Sequence, residues 1–355
     1  MLPPAEHCHE EPVLRHLHRV HAPELREHAC RATDSAGVAA WQEQARPALR
    51  TLVGLERMER ELAGHSPQVA LDDAENLGEF TRALGRIETE PGWWVEFWLL
   101  RPEGDGPWPL AVLPHGHEAR GHDTYAGVHR GEERRRERIE QLDADVAVQA
   151  VRRGFLAIAL NTRGFEANCI PDVNQRHDGR DCRSQLIHAL LAGRTVIGER
   201  LWDLERIIDW ATGLPEVDAS RIVMMGNSGG GVATTYAAAC DPRVTVAVPS
   251  CSFAPFMGAS GLVHHCDCNL VPGIHRFGEF ADVAGLIAPR SLLIVNGRED
   301  TLFPLDEIEY AVADVRRIYA AAGAPERFEH AWGPAGHRFY AGIMWPFVER
   351  DLAGG

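Results

Sequence analysis

The sequence predicts an α/β fold, with a mostly parallel sheet of about eight strands and helices on both faces. After residue 105, short apolar runs alternate with amphipathic segments, and the links between them are short. This alternation is typical of parallel strands because each parallel connection needs a crossover, usually a helix. A β-branched apolar run at 222–225 also leads through a Gly-rich turn into a small-residue helical segment at 232–239.

The elements are predicted in order along the chain. Apolar residues three or four apart indicate two or three helices within 5–30 and 36–63. Strands at 82–89 and 93–100 are joined by a Glu-Pro-Gly turn and should form an antiparallel edge. Further strands are expected at 109–113, 155–160, 222–225, 244–248, 291–295 and 327–332, and further helices at 132–151, 186–192, 199–212, 232–239, 277–286, 305–322 and 339–352.

These elements predict an N-terminal helical extension over 1–80 and a main domain over 81–355, with a lid-like irregular insertion around 249–276. The net charge of −15 argues against nucleic acid or an anionic membrane as a partner. We see no secretion signal and no apolar run of ~18 residues, so we expect a cytoplasmic location. A homo-oligomer stays open.

The Gly-rich turn carries a candidate nucleophile, Ser228, in the pattern Gly-x-Ser-x-Gly. A serine on a strand–turn–helix junction is held in strained geometry and stands clear of the sheet. The backbone N–H of Gly229 follows it at a helix N-terminus, where partial positive charge can receive an oxyanion.

A serine hydroxyl needs a base, and the base needs an orienting carboxylate. The loop after the predicted strand 291–295 offers Asp300 as the acid, with Glu299 and Asp306 as competitors. The Gly-rich loop after the last strand offers His337 as the base, whereas His330 falls within the strand pattern. The chain order serine, acid, histidine is that of α/β-hydrolases.

A second oxyanion donor should come from the loop after the third predicted strand, and we expect it to be the backbone N–H of His117. The alternative interpretation of His115 and His117 is a metal-binding pair. Four aromatic residues are expected to line the substrate pocket: Trp202, Phe253, Phe256 and Trp332.

The chain from about residue 82 onwards resembles the α/β-hydrolase superfamily, and within it the bacterial acetyl xylan esterase and dienelactone hydrolase-like group. The matching stretches are Leu113-Pro114-His115-Gly116-His117, Gly226-Asn227-Ser228-Gly229-Gly230-Gly231, His264-His265-Cys266-Asp267-Cys268-Asn269-Leu270-Val271-Pro272-Gly273, Ala288-Pro289-Arg290, Gly297-Arg298-Glu299-Asp300 and Gly336-His337. The resemblance implies a carboxylic ester hydrolase with a Ser/Asp/His triad and no cofactor. True dienelactone hydrolases have cysteine at the nucleophile, so Ser228 argues against dienelactone as substrate.

The sequence thus predicts a serine esterase that acts on a small-molecule ester, with a small acyl group such as acetyl on a sugar implied by the resemblance. The alternatives are a serine peptidase or amidase of the same fold, and a non-catalytic binding module. We expect no metal, and we interpret the Cys/His-rich stretch with Cys251 as a rigid packed loop. A metal bound by His264, His265, Cys266 and Cys268 stays open, because thiolates and imidazoles are good zinc ligands.

Overall fold

A single large sheet forms the centre of the molecule in this computed structural model, which describes residues 11–165, 168–258, 261–263 and 265–353. The helices are α1 (Glu11–Val20), α2 (Ser35–Val53), α3 (Leu55–Glu61), α4 (Gly121–Tyr125), α5 (Glu133–Gln141), α6 (Val146–Val151), α7 (Asp181–Leu191), α8 (Val196–Ala211), α9 (Gly229–Cys240), α10 (Ile274–Phe277), α11 (Phe280–Gly285), α12 (Leu305–Ala321) and α13 (Ala341–Ala353). The strands are β1 (Val69–Leu71), β2 (Glu75–Asn76), β3 (Phe80–Glu90), β4 (Trp93–Pro102), β5 (Trp108–Pro114), β6 (Leu156–Leu160), β7 (Val217–Asn227), β8 (Val246–Ser250), β9 (Met257–Gly258), β10 (Gly261–Leu262), β11 (Ser291–Gly297) and β12 (Phe328–Gly333).

The sheet has the order β1-β3-β4-β6-β5-β7-β8-β11-β12, and β2 also pairs with β3. Along this order, the pairings from β6 to β12 are parallel, whereas β1 to β4 pair antiparallel and β4 joins β6 antiparallel. The strands β9 and β10 form a separate antiparallel pair. Eight long strands with an antiparallel edge are what the sequence predicts, and this prediction is confirmed. The chain has an α/β architecture in which the parallel strands all end at one edge.

Side chains of each central strand alternate between two hydrophobic cores, one on either face of the sheet. On β5, Leu110 and Val112 join the core that contains α8, α9, α11 and α12, while Ala111 and Leu113 join the core beside α6 and α13. This period of two is the reason that a continuous apolar run forms a strand covered on both sides.

The N-terminal helices share the larger of these cores. Leu49 and Val53 of α2 are fully buried in it. Polar side chains of α2 also reach backbone carbonyls near the ends of later helices: Arg46 donates to Ala239 O at 2.9 Å and to Leu286 O at 2.7 Å. Helix ends leave carbonyls without an intrahelical partner, so these contacts satisfy groups that would otherwise be unpaired.

The structure differs from the predicted elements in several places; the short elements α4, β9 and β10, for example, lie outside the predicted helices and strands. The helix expected at 132–151 is broken into α5 and α6, because Asp143 has a positive φ of 54° and its carboxylate accepts a hydrogen bond from Arg338 at 3.0 Å. The two short strands β1 and β2 lie in a stretch assigned to the helical extension, and they form by pairing with β3. The part of the first predicted helical region before residue 11 lies outside the described residues. Within the described chain, no helix combines the length and apolar character that a bilayer span requires.

Because Leu49 is wholly enclosed in the main core, we expect Leu49→Ala to reduce the free energy of unfolding by about 2–5 kcal/mol. Val13→Ala is the matched control: Val13 is 46% exposed on α1, and its truncation should change the unfolding free energy by no more than about 0.5 kcal/mol. Urea denaturation followed by circular dichroism measures both. Equal stabilities for the two variants would contradict a core shared with the N-terminal helices.

Candidate active site

The candidate nucleophile stands on a sharp turn between β7 and α9. Ser228 has φ 58° and ψ −126°, a backbone conformation that side-chain-bearing residues rarely adopt. Its N–H donates to Ser250 O at 2.9 Å, which anchors the turn to the neighbouring strand. Gly230 lets the turn approach β5, because a Cβ there would lie 2.1 Å from Pro114 O. The strained serine is therefore held by the packing around it.

The predicted acid and base are in contact at the same edge of the sheet. His337 Nδ1 lies 2.7 Å from Asp300 Oδ2, and the Asp300 side chain is 3% exposed. The other carboxylate oxygen accepts the Leu302 N–H at 3.0 Å. A carboxylate held in this way fixes the imidazole with Nδ1 protonated and leaves Nε2 free to act as a base.

The competitors for these roles lie elsewhere. His330 lies in β12, and its Nε2 is 3.3 Å from Asn296 Oδ1. Burial lowers the pKa of His330 to about 4. Asp306 is exposed in the first turn of α12, and Glu299 precedes the residue that contacts His337.

Ser228 and His337 line one cavity of about 530 Å³, together with Gly229 and His117. The volume is within the range that binds small molecules. The remaining wall is formed by Arg180, Val232, Cys251, Ser252, His265, Cys266, Asn269, Leu302 and Phe303. The structure thus collects four of the predicted residues around one space, with Asp300 directly behind His337.

The predicted oxyanion donors belong to two adjoining backbone segments. Gly229 begins α9 directly after Ser228. The loop that follows β5 passes so close that a Cβ on Gly116 would lie 3.0 Å from Gly229 N and 2.7 Å from Asn227 O. His117 continues this loop and lines the cavity. A glycine at 116 keeps the space beside the Gly229 N–H open.

His115 has a structural position instead of a metal-binding one. It is fully buried, and the Thr162 N–H donates to its Nε2 at 3.0 Å. Because Nε2 accepts this hydrogen bond, Nδ1 carries the proton and donates to Gly116 O at 2.8 Å. Burial lowers the pKa of His115 to about 4. The neutral ring therefore ties the end of β5 to the end of β6.

The four aromatic residues expected at the pocket lie away from it. Trp202 is buried in α8 and donates its indole N–H to Thr89 O at 2.7 Å. Phe253 and Phe256 both pack against Phe280 in the core. Trp332 lies beside His330 and Arg298. That prediction is corrected, because residue type gave no information about which way each side chain faces.

The sequence analysis missed several cavity residues. Leu302 and Phe303 lie two and three residues after Asp300, and two apolar residues so close to the predicted acid were the available signal. Arg180 lies in a stretch to which no element was assigned, and it has no local pattern that marks a pocket. Asn269 lies in the Cys/His-rich stretch that carries part of the family resemblance, but no role in the pocket was predicted for it.

Among the residues that the structure describes, two groups of side chains have ligand atoms close enough to hold a metal. His117, Cys182, Cys266 and Cys268 have ligand atoms within 4.8 Å of one another, and so do Cys251, Asp300 and His337. The second group is the acid–base pair with a neighbouring thiol, and burial raises the pKa of Cys251 to about 11. Of the open metal candidates, His265 is not in the first group and His264 lies outside the described residues.

Comparisons with known proteins are consistent with the α/β fold described above. No family model matches the chain. A Bacillus subtilis (strain 168) protein named as a hydrolase, YtaP, is 27% identical over 151 residues, which is 42% of this chain. The match spans 50% of YtaP, half the length of that relative.

Solved structures match over nearly the whole chain. A Bacteroides fragilis NCTC 9343 protein assigned as an acetyl xylan esterase is 17% identical over 94% of both chains, with a TM-score of 0.72. A glucuronoyl esterase from Solibacter usitatus is 14% identical over 91% of this chain and 94% of its own, with a TM-score of 0.65. An acetyl xylan esterase from Paenibacillus sp. R4 is 18% identical over 93% and 99%, with a TM-score of 0.54. The chain has the α/β-hydrolase fold of these esterases.

The close contact at the serine turn predicts a steric effect. Because a Cβ at residue 230 would lie 2.1 Å from Pro114 O, Gly230→Ala should reduce the unfolding free energy by about 3 kcal/mol. Gly342→Ala in α13 is the control, since a Cβ there meets nothing within 4 Å; it should be neutral or stabilise by up to about 1 kcal/mol. Chemical denaturation compares them. Two variants of equal stability would refute the tight turn.

Proposed function

We propose that this protein is a serine-dependent carboxylic ester hydrolase with Ser228 as nucleophile, His337 as base and Asp300 as orienting acid. The observation that carries the proposal is the 2.7 Å contact between His337 and buried Asp300, beside a cavity that Ser228 also lines. A buried carboxylate on an imidazole next to a strained serine is the arrangement that acyl transfer through a serine requires.

In the first half of the reaction, the Ser228 hydroxyl oxygen forms a bond to the ester carbonyl carbon as His337 Nε2 takes the hydroxyl proton. Asp300 accepts a hydrogen bond from the Nδ1–H group of His337 and stabilises the imidazolium that forms. The carbonyl oxygen gains negative charge and is received by the N–H groups of Gly229 and His117. Each such donor contributes about 3 kcal/mol to the transition state.

The tetrahedral intermediate then collapses. The bond from carbon to the alcohol oxygen breaks, and the imidazolium of His337 returns its proton to the leaving alcohol. Water then attacks the carbonyl carbon of the acyl-Ser228 ester as His337 removes a proton from it. The bond from that carbon to the Ser228 oxygen breaks, His337 returns the proton to Ser228, and the carboxylic acid is released. Each step uses only side chains, backbone N–H groups and water, so the proposed reaction is written without a cofactor.

We propose a small-acyl ester, such as an acetyl group on a carbohydrate, as the substrate class. The cavity of about 530 Å³ has an apolar wall of Val232, Leu302 and Phe303, which suits a short acyl chain. Arg180 and Asn269 line the same cavity and offer hydrogen-bond donors for hydroxyl groups. Similar folds carry the names acetyl xylan esterase and glucuronoyl esterase, which supports an ester of a sugar.

Because the acyl-enzyme forms on the Ser228 hydroxyl, we expect Ser228→Ala to lower kcat for p-nitrophenyl acetate at least about 10⁴-fold. Asp300→Asn should lower kcat by about 10⁴-fold, since the amide favours the wrong imidazole tautomer. Ser220→Ala, an exposed serine at the start of β7, is the control and should keep full activity. Wild-type turnover retained by Ser228→Ala would overturn the nucleophile assignment.

The same preparation separates the other functions. Turnover of aminoacyl-p-nitroanilides, which an esterase leaves largely intact, would indicate a peptidase or amidase. A fluorophosphonate probe that fails to label Ser228 would support a non-catalytic binding module. Acetylated sugars assayed beside aryl acetates of equal acyl length then test the carbohydrate preference.

A further inference from the structure

A cluster of three thiols and one imidazole lies beside the candidate active site and has no part in the proposed reaction. Its members come from three separate segments: His117 from the loop after β5, Cys182 from the first turn of α7, and Cys266 and Cys268 from the lid segment, 249–276. Cys268 is fully buried and Cys182 is 7% exposed, whereas Cys266 is partly exposed.

Three of the six distances between the ligand atoms of this cluster are close to those of a tetrahedral zinc site. Cys266 Sγ lies 3.7 Å from both Cys182 Sγ and Cys268 Sγ, and Cys268 Sγ lies 3.4 Å from His117 Nε2. Zinc–sulfur bonds of about 2.3 Å place the sulfurs of a tetrahedral site about 3.8 Å apart, and a zinc–nitrogen bond of about 2.0 Å brings sulfur and nitrogen to about 3.6 Å. All four ligand atoms lie within 4.8 Å of one another.

We propose that His117, Cys182, Cys266 and Cys268 bind one zinc ion in a closed, structural Cys₃His site. Three thiolates and an imidazole are a ligand set of structural zinc sites, and four protein ligands leave no open position for water or substrate. The site joins the lid segment and α7 to the loop that carries the predicted oxyanion donor. This inference concerns metal binding and does not depend on the proposed esterase reaction.

The charge of the neighbouring groups supports the proposal. Arg200 is 1% exposed, and its Nη2 lies 3.2 Å from Cys268 Sγ. Its other hydrogen bonds go to neutral acceptors, Arg163 O and Asn269 Oδ1. Within the described residues no carboxylate forms an ion pair with Arg200, and an uncompensated buried charge is costly. Zinc with three thiolates carries one net negative charge, which the guanidinium would balance while donating to a ligand sulfur.

The surroundings also hold the ligands in place. The Phe165 ring packs edge-on against His117, with ring centroids 4.7 Å apart, and the Arg200 guanidinium lies over the same ring at 4.7 Å. Arg183 donates to Asp267, between the two lid thiols, at 2.6 Å. Such outer contacts are the means by which proteins orient metal ligands.

A disulfide explains the cluster less well. A disulfide bond needs sulfurs about 2.05 Å apart, whereas Cys266 Sγ lies 3.7 Å from both Cys182 Sγ and Cys268 Sγ. One bond would use two of three equivalent thiols and leave the third beside the imidazole. A metal uses all four groups and releases the thiol protons to solvent as it binds.

The test is the metal content of the full chain, purified under reducing conditions after expression with zinc in the medium. We expect one zinc per chain by inductively coupled plasma mass spectrometry, and loss of that zinc in Cys266→Ser and in Cys182→Ser. Cys30→Ser is the matched control, because Cys30 is buried beside Val38 and Ile318 in a separate cluster; it should keep the zinc. Removal of zinc from the wild type with a chelator should lower Tm.

A second measurement covers the case in which the cysteine variants do not fold. Wild type stripped of zinc and reloaded with Co²⁺ should show the thiolate charge-transfer band and the intense visible bands of tetrahedral cobalt. A wild type that binds neither ion, a Cys266→Ser variant with full zinc, or an intact mass lower by two hydrogens that reductant restores would each overturn the proposal. Ser228→Ala should keep its zinc, so loss of esterase activity and loss of metal are separate outcomes.

Discussion

The constraint on which the site depends is the contact between the serine turn and the end of β5. Helix α9 begins directly after Ser228, and its first turn approaches Pro114 so closely that residue 230 must lack a side chain. Ser228 is held at φ 58° by this packing. A strained backbone conformation of this kind persists only where the packing of the surrounding structure holds it in place. Here α9 is buried along its whole length, and its residues are mostly small.

Once the turn is fixed, the parallel sheet places the other groups. The strands β5, β7, β11 and β12 end at the same edge, so the loops that follow them carry His117, Ser228 and His337 to one cavity and place Asp300 behind His337. The lid segment closes that cavity with Cys266 and Asn269. The proposed zinc would hold the lid against the loop after β5, so that the wall of the pocket and the oxyanion donor would share one support.

Local patterns were sufficient for the antiparallel pair of β3 and β4, because a turn motif joins the two strands. They also predicted the contact between Asp300 and His337, because each residue lies in the loop that follows the strand positioning it. They were not sufficient for Cys182, which lies 84 residues from Cys266 and has no partner near it in the sequence. The prediction that four aromatic residues line the pocket was wrong for a related reason. Trp202 and Phe253 are aromatic whether they lie in a pocket or in a core, and only the packing of the fold decides which of the two they face. The break at Asp143 depends on a contact with Arg338, 195 residues away.

The contacts of α2 have a consequence for how the chain is made. Arg46 leaves the ribosome early, but its carbonyl partners on Ala239 and Leu286 follow 193 and 240 residues later. Until then the part of α2 that packs against α9 stays uncovered in the nascent chain, and transiently exposed apolar surface of this kind is prone to aggregation. Folding is therefore complete only after the C-terminal half of the chain has been translated. The rate at which that half is translated determines how long the contact surface of α2 stays exposed to solvent.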